Sequence, residues 1–258
     1  MTSRLAAITL NTFREAVRDR VLYNLIVFVL LLVASAPLFG AISIDVERLV
    51  LVNVGLSSIS LFGVIIAIFI GIGLVSKEIE KRTLYTILSR PVRRWEFIAG
   101  KYCGLMMTLV VNAALMTAGF YLALAITSRG LAAHDAQLLV AVYFTVLQFL
   151  IVTAITLLFS SFSTPIFSAI FTFALFAIGT YSDDLSSFAA AAQGITKIFG
   201  TIAAYLVPHL ASLNVIAQVA HDQPVSGSLI LYNTLYALFY SAAVTSAAVL
   251  IFERRNLK

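Results

Sequence analysis

Residues 49–76 read LVLVNVGLSSISLFGVIIAIFIGIGLVS, a stretch without a charged side chain. The chain then continues over 77–96 as KEIEKRTLYTILSRPVRRWE, with eight charges between Lys77 and Arg94. A helix rising about 1.5 Å per residue crosses a hydrocarbon layer about 30 Å thick with about 20 apolar residues. The first stretch therefore predicts a membrane helix, and the charges after it mark where the chain leaves the lipid. Working outward, the uncharged runs 21–44, 102–128, 136–182 and 223–252 meet the same test. The run 136–182 is long enough for two helices and breaks at Ser160-Ser161-Phe162-Ser163-Thr164-Pro165, where a hydroxyl is expected to cap the second helix and Pro165 to sit in its first turn. Six spans result, at 21–44, 49–76, 97–128, 136–159, 165–182 and 228–252. Composition agrees: 61% hydrophobic and 11% charged residues, with a mean hydropathy of +1.01, cannot cover a water-soluble surface.

Orientation follows from the basic residues, because cytoplasmic flanks collect Lys and Arg. With the N-terminus placed inside, Arg4, Arg14, Arg18, Arg20, Lys77, Lys81, Arg82, Arg90, Arg93, Arg94, Lys101, Arg254, Arg255 and Lys258 fall on one side. Only Arg48, Arg129 and Lys197 fall on the other, while the acidic residues split evenly. Both termini are thus expected in the cytoplasm of a multi-pass membrane protein. The first twenty residues lack a short apolar core followed by a small-residue cleavage site, so the first span is expected to act as the insertion signal. A single cysteine permits no internal disulfide. The net charge of +5 is accounted for by its sidedness and calls for no nucleic-acid partner.

Residues 185–221 carry one basic charge, Lys197, and Pro208 divides them into 186–206 and a piece of about 13 residues too short to cross. They are expected to form external re-entrant helices packed on the bundle. At the other end of the chain, residues 2–20 alternate basic positions with Leu5, Ile8, Phe13, Ala16 and Val17, the pattern of a helix lying on the membrane surface. It serves as a topology anchor or as a docking element. The fold class is therefore all-α integral membrane, a single transmembrane unit over 1–258.

The loop 77–94 is too elaborate for a simple connection. Glu78, Lys81 and Arg82 share one side of a helix by spacing, and Ile79, Leu84, Ile87 and Leu88 give a second, apolar stripe. Pro91 ends the helix, and Arg93, Arg94 and the interfacial Trp95 follow. An ordinary positive-inside loop would have the same charge excess.

These residues resemble the ABC-2 type permeases, and within them the branch encoded beside copper-processing and gliding-motility genes. The resemblance rests on Asn11-Thr12-Phe13-Arg14-Glu15-Ala16, on Glu78-x-Glu80-Lys81-Arg82-Thr83-Leu84, on Leu88-Ser89-Arg90-Pro91-Val92-x-Arg94-Trp95-Glu96 and on Gly100-Lys101, with a weaker echo in Pro208-x-Leu210-x-x-x-Asn214. It implies that 77–94 is a cytoplasmic coupling helix seated on a separate ABC ATPase, which binds ATP and magnesium; no cofactor is expected on this chain. Partner contacts would fall to Glu78, Glu80, Lys81, Arg82, Thr83, Tyr85, Arg90, Pro91, Arg93 and Arg94. Two departures stand out. Arg82 occupies a position where many members have Gly, and His209 and Leu213 stand where Asn and an aromatic residue are frequent.

The chain has no G-x-x-x-x-G-K-[ST] phosphate loop and no H-E-x-x-H helix, so it is expected to be non-catalytic and powered from outside. Gly71-Ile72-Gly73 and Gly100-x-x-x-Gly104 are read as helix packing within one subunit. Cys103, Met106 and Met107 share a helical spacing that suits a soft ion but is far more often filler, and His209, His221 and Asp222 have no diagnostic metal spacing. The leading expectation is the permease subunit of an exporter that works as a homodimer or beside a related permease, in contact with membrane lipid. The alternative is an ABC-type mechanotransmitting or assembly scaffold that acts on an external protein without transport. An ion-coupled carrier is disfavoured because the spans lack the buried Asp, Glu or Arg that such a carrier needs.

Overall fold

The computed structural model describes residues 2–18, 23, 27, 30–31, 47–80, 93–127, 130, 133–191, 194, 197–198, 200 and 207–254. Among them there is no strand. The α-helices are α1 (Thr2–Val17), α2 (Glu47–Glu80), α3 (Arg94–Thr127), α4 (Leu138–Phe162), α5 (Pro165–Thr180), α6 (Ser182–Ala191), α7 (Ile216–Ala220) and α8 (Gly227–Arg254), with 3-10 turns at Ala133–Gln137 and Ala211–Leu213. The protein is thus all-α and membrane-spanning. Among the described residues four helices, α2, α3, α4 and α8, are long and apolar enough to cross a bilayer, and a fifth crossing results if α5 and the start of α6 count as one bent span. The expected first span, 21–44, lies outside the described residues except at isolated positions.

Helix α4 is the centre, touching α2, α3, α5 and α8. Burial explains why: 67% of the most apolar window of α4 and of α2 is enclosed by protein, against 22% for α8. Lipid tails are as apolar as leucine, so the seams are set by shape rather than by water exclusion. The seam between α2 and α4 is a knob in a hole. Gly63 receives the ring of Phe149, which is buried, and Gly55 receives Phe120 of α3 in the same way. Beside Gly63, Ser60 Oγ donates to Gln148 Oε1 at 2.8 Å, so these two polar groups satisfy one another. Gly71 lies against Thr156 and Leu105, the packing role expected for it.

Pro165 opens α5 as predicted, but the hydroxyl cap does not form. Thr164 stands at the N-cap with no side-chain hydrogen bond, whereas Ser160 and Ser161 turn back to the carbonyls of Leu157 and Leu158 at 3.1 and 2.6 Å. In lipid a hydroxyl gains most by bonding its own helix, so the serines serve α4 instead of α5. Helix α5 ends after 16 residues, and the chain turns by 70° into α6. In the segment 209–221, Asn214 interrupts the helix with φ −92° and ψ 85°. Its Oδ1 accepts from the Ile216 amide at 3.4 Å, leaving a 3-10 turn and the short α7.

Candidate functional site

Polar side chains gather at the two opposite ends of the bundle. At the end where α3 begins, Glu96 is buried and its carboxylate accepts from the Arg93 amide at 3.0 Å, capping the helix three residues in. Arg94 Nη1 donates to the carbonyls of Phe252 and Glu253 at 3.1 and 2.7 Å, which satisfies the open C-terminus of α8. One turn on, Phe97 stacks on Phe252 with ring centroids 5.7 Å apart, and Ile98 and Ala248 close the contact.

Helix α1 seals the other side of α3. An added Cβ on Gly100 would come 2.5 Å from Ile8, and one on Gly104 would come 2.5 Å from Thr12 Cβ and 2.7 Å from the Thr9 carbonyl. The Gly100-x-x-x-Gly104 stripe is therefore filled from within the subunit. Of the apolar residues of α1, Ala16 is buried in the bundle and Leu5, Ile8, Phe13 and Val17 are half-buried, while Arg4, Leu10, Asn11, Arg14 and Arg18 lie on its exposed side. Between the two helices, Lys101 is 2% exposed, with Nζ 3.4 Å from Glu15 Oε2 and 5.7 Å from the Phe97 ring. A lysine beside two glycines at a charged boundary reads as a side chain reaching for water. Its burial becomes visible only once α1 is docked.

The pair is asymmetric, since Glu15 is 40% exposed and Lys101 is enclosed. Glu15→Ala takes a partner from a buried ammonium, whereas Lys101→Met leaves a carboxylate that water can solvate. Glu15→Ala is expected to cost about 2 kcal/mol and Lys101→Met less than half of that, read as thermal unfolding of the detergent-solubilised protein.

The residues expected to touch a partner ATPase bracket this junction. Helix α2 continues through Glu80, so the first positions of the segment 77–94 extend the membrane helix, and Arg94 opens α3. Arg93 is exposed beside the junction. The side chains of Glu78 and Glu80, and all of Lys81, Arg82, Thr83, Tyr85, Arg90 and Pro91, lie outside the described residues. At the soft-ion trio, Met106 is buried while Cys103 and Met107 are exposed, so spacing alone does not bring them onto one surface. Among the described residues there is no cluster of three metal-ligating His, Cys, Asp or Glu side chains.

The opposite end carries a network that the sequence does not announce. Arg48 Nη2 donates to Asp135 Oδ1 at 2.8 Å and Nη1 to Asp222 Oδ2 at 3.1 Å. Tyr121 Oη donates to the Asp135 carbonyl at 2.7 Å. Asp222 reaches this position from a left-handed backbone, φ 55°, a conformation that aspartate tolerates better than most residues. His209 Nε2 lies 2.9 Å from Asp183 Oδ1, its amide donates to Tyr236 Oη at 2.8 Å, and the Leu210 amide donates to the Gly179 carbonyl at 3.1 Å. Leu210, Leu213, Val215 and Val219 are buried in the main core. His209 and Asp222 thus serve to fasten the segment after Pro208 to the bundle, and His221 is exposed. Arg48→Gln is expected to cost about 1–2 kcal/mol and to make the 209–222 segment more susceptible to protease in micelles.

A helical bundle with several apolar crossings, ion pairs at its two ends and a charged segment of sequence between two of its long helices is a multi-pass membrane protein of the permease kind. The sequence pattern of the family described as ABC-2 family transporter protein matches residues 6–257. The chain belongs to that family, and so is a membrane subunit of an ABC transporter. Such subunits are in general non-catalytic and have an ATPase subunit as partner. A search of curated proteins finds no match.

Proposed function

We propose that the segment 77–94 is the seat of a separate ABC ATPase and that its motion on ATP binding is carried into the bundle to move a substrate outward from the cytoplasm or the inner leaflet. The observation that supports this reading most is the hold that the first two turns of α3 have on their surroundings. Arg94, Phe97 and Lys101 join that helix to α8 and α1 within eight residues of the loop. A displacement of the loop along α3 would be shared by three helices. Arg93 and Arg94 support the junction in this scheme, and Glu78, Glu80, Lys81, Arg82, Thr83, Tyr85, Arg90 and Pro91 are the proposed contacts. ATP and magnesium would reside on the partner alone.

The charge distribution supports both termini in the cytoplasm, the resemblance to the copper-processing and gliding-motility branch supports a bacterial inner-membrane location, and two copies, or one copy beside a related permease, would enclose the route. Placement in the copper-processing and gliding-motility branch is proposed from the loop motif. The test is reconstitution of the chain with its ATPase in proteoliposomes. Stimulated ATP hydrolysis with vectorial movement of lipid or solute supports the reading. Stimulated hydrolysis without such movement favours a mechanotransmitting scaffold. Failure of the two chains to associate sinks both. Cysteine labelling at positions 200 and 257 checks the topology, with 200 expected to react from outside and 257 from inside.

A further inference from the structure

The faces of α3 and α8 turned away from α4 do not close on each other. They leave an open groove of about 670 Å³, with Trp95, Tyr102 and Cys103 on one wall, Ala242 and Ser246 on the other, and Leu150 of α4 at its floor. Tyr102 Oη donates to the Leu150 carbonyl at 3.2 Å, which holds the floor in place. The groove has a polar mouth. Glu253 lines it there, Arg254 follows on the same helix, and Trp95 stands opposite, the residue type that settles at the level of lipid headgroups.

Its length identifies the occupant. From Glu253 to Leu238, the deepest lining residue of α8, fifteen residues span about 22 Å of helix axis. That is the depth of one leaflet, about 15 Å of hydrocarbon plus the headgroup layer. A helix from a second copy would need a seam across both leaflets. Beyond Leu238, however, α8 presents the exposed bulk of Leu235, Tyr232 and Leu231. The small residues Ser241, Ala242, Thr245 and Ser246 are confined to the half nearest Glu253. An acyl chain hanging from the headgroup level fits a trough of this length.

We propose that this groove binds a bilayer phosphatidylethanolamine, with one acyl chain along α3 and α8, the Glu253 carboxylate accepting a hydrogen bond from the primary ammonium, and Arg254 supplying charge for the phosphate. A quaternary choline headgroup has no N–H to donate, so the mouth discriminates between the two common zwitterions. The site does not depend on which protein the 77–94 loop meets.

Trp95 is the only tryptophan of the chain, and it lines the groove, so its fluorescence reports occupancy directly. The full chain is reconstituted in phosphatidylcholine vesicles containing a minor fraction of phospholipid with brominated acyl chains, which quench a neighbouring indole. Brominated phosphatidylethanolamine is expected to quench Trp95 at about one fifth of the mole fraction that brominated phosphatidylcholine requires, the preference one exposed ionic contact provides. Glu253→Gln is expected to erase that preference while leaving quenching by either lipid in place. Ser246→Phe, at an exposed position whose hydroxyl bonds only the Ala242 carbonyl, fills the trough and is expected to reduce quenching by phosphatidylethanolamine to the bulk value. Ala242→Leu provides a second, smaller obstruction with the same expected direction. Equal quenching by the two lipids in the wild type overturns the proposal, as does quenching that neither obstruction changes. Shielding of Trp95 from both lipids would show that a second copy covers the groove, and overturns it too.

Discussion

Exchanging the charges of Glu78 and Arg82, as Glu78→Arg with Arg82→Glu, is expected to weaken ATPase association about a thousandfold, because like charges forced together at an interface cost about 4 kcal/mol. The exchange is more informative than a single reversal. Their i, i+4 spacing would let the two side chains pair within a helical segment, and a swap would keep that pairing while inverting the pattern shown to a partner. The intrinsic penalty of the reversed order is only a few tenths of a kcal/mol, so the segment should fold as before. Co-purification with the ATPase and its stimulated hydrolysis are the measurements, with thermal unfolding as the control. If the swapped chain assembles and stimulates hydrolysis like the wild type, the loop is an ordinary positive-inside connection.

Gly63→Leu is expected to lower stability by more than about 3 kcal/mol, the largest effect of any single substitution considered for the bundle. The Phe149 ring occupies the space where even a Cβ would sit, and Phe149 is closed in on α4, so neither helix can move aside without opening the central seam. Interiors packed like crystals do not absorb such a volume. Phe149→Ala in the same chain should restore a large share of the loss, because the two residues compete for one space and their effects are not additive. Gly227→Ala is the control, since nothing lies within 4 Å of a Cβ there, and a change within about half a kcal/mol is expected. Thermal unfolding in micelles reads all three variants. Equal losses at Gly63 and Gly227 would show that the α2–α4 seam does not determine stability.

The features readable from sequence are those written in local patterns. The apolar runs that became α2, α3, α4 and α8 are bounded by charges, and a bilayer demands a minimum length, so their existence follows from composition and spacing. Pro165 marks a helix start because it follows a run of hydroxyl residues that breaks the apolar pattern. Gly100 and Gly104 announce a close contact but not with what; Ile8 and Thr12 lie some ninety positions away. The Arg48, Asp135 and Asp222 network has no local signal at all, because its members are separated by as many as 174 positions and meet only after the helices assemble. The burial of Lys101 is hidden for the same reason. In the loop, the charge pattern and the family motif point to a partner, but a contact with another protein leaves no mark on the folding of this one.

The seam where Ile8 and Thr12 meet Gly100 and Gly104 also opens an experimental route. Backbones in direct contact leave little slack, so α1 and the start of α3 travel as a single piece. The outward side of α1, at Ala7 or Asn11, is exposed and makes none of the contacts described at that seam. A dye attached there sits on the handle of a shaft whose far part is buried in lipid. Its excursion during each cycle would report, from an accessible surface, how far the hidden helix turns.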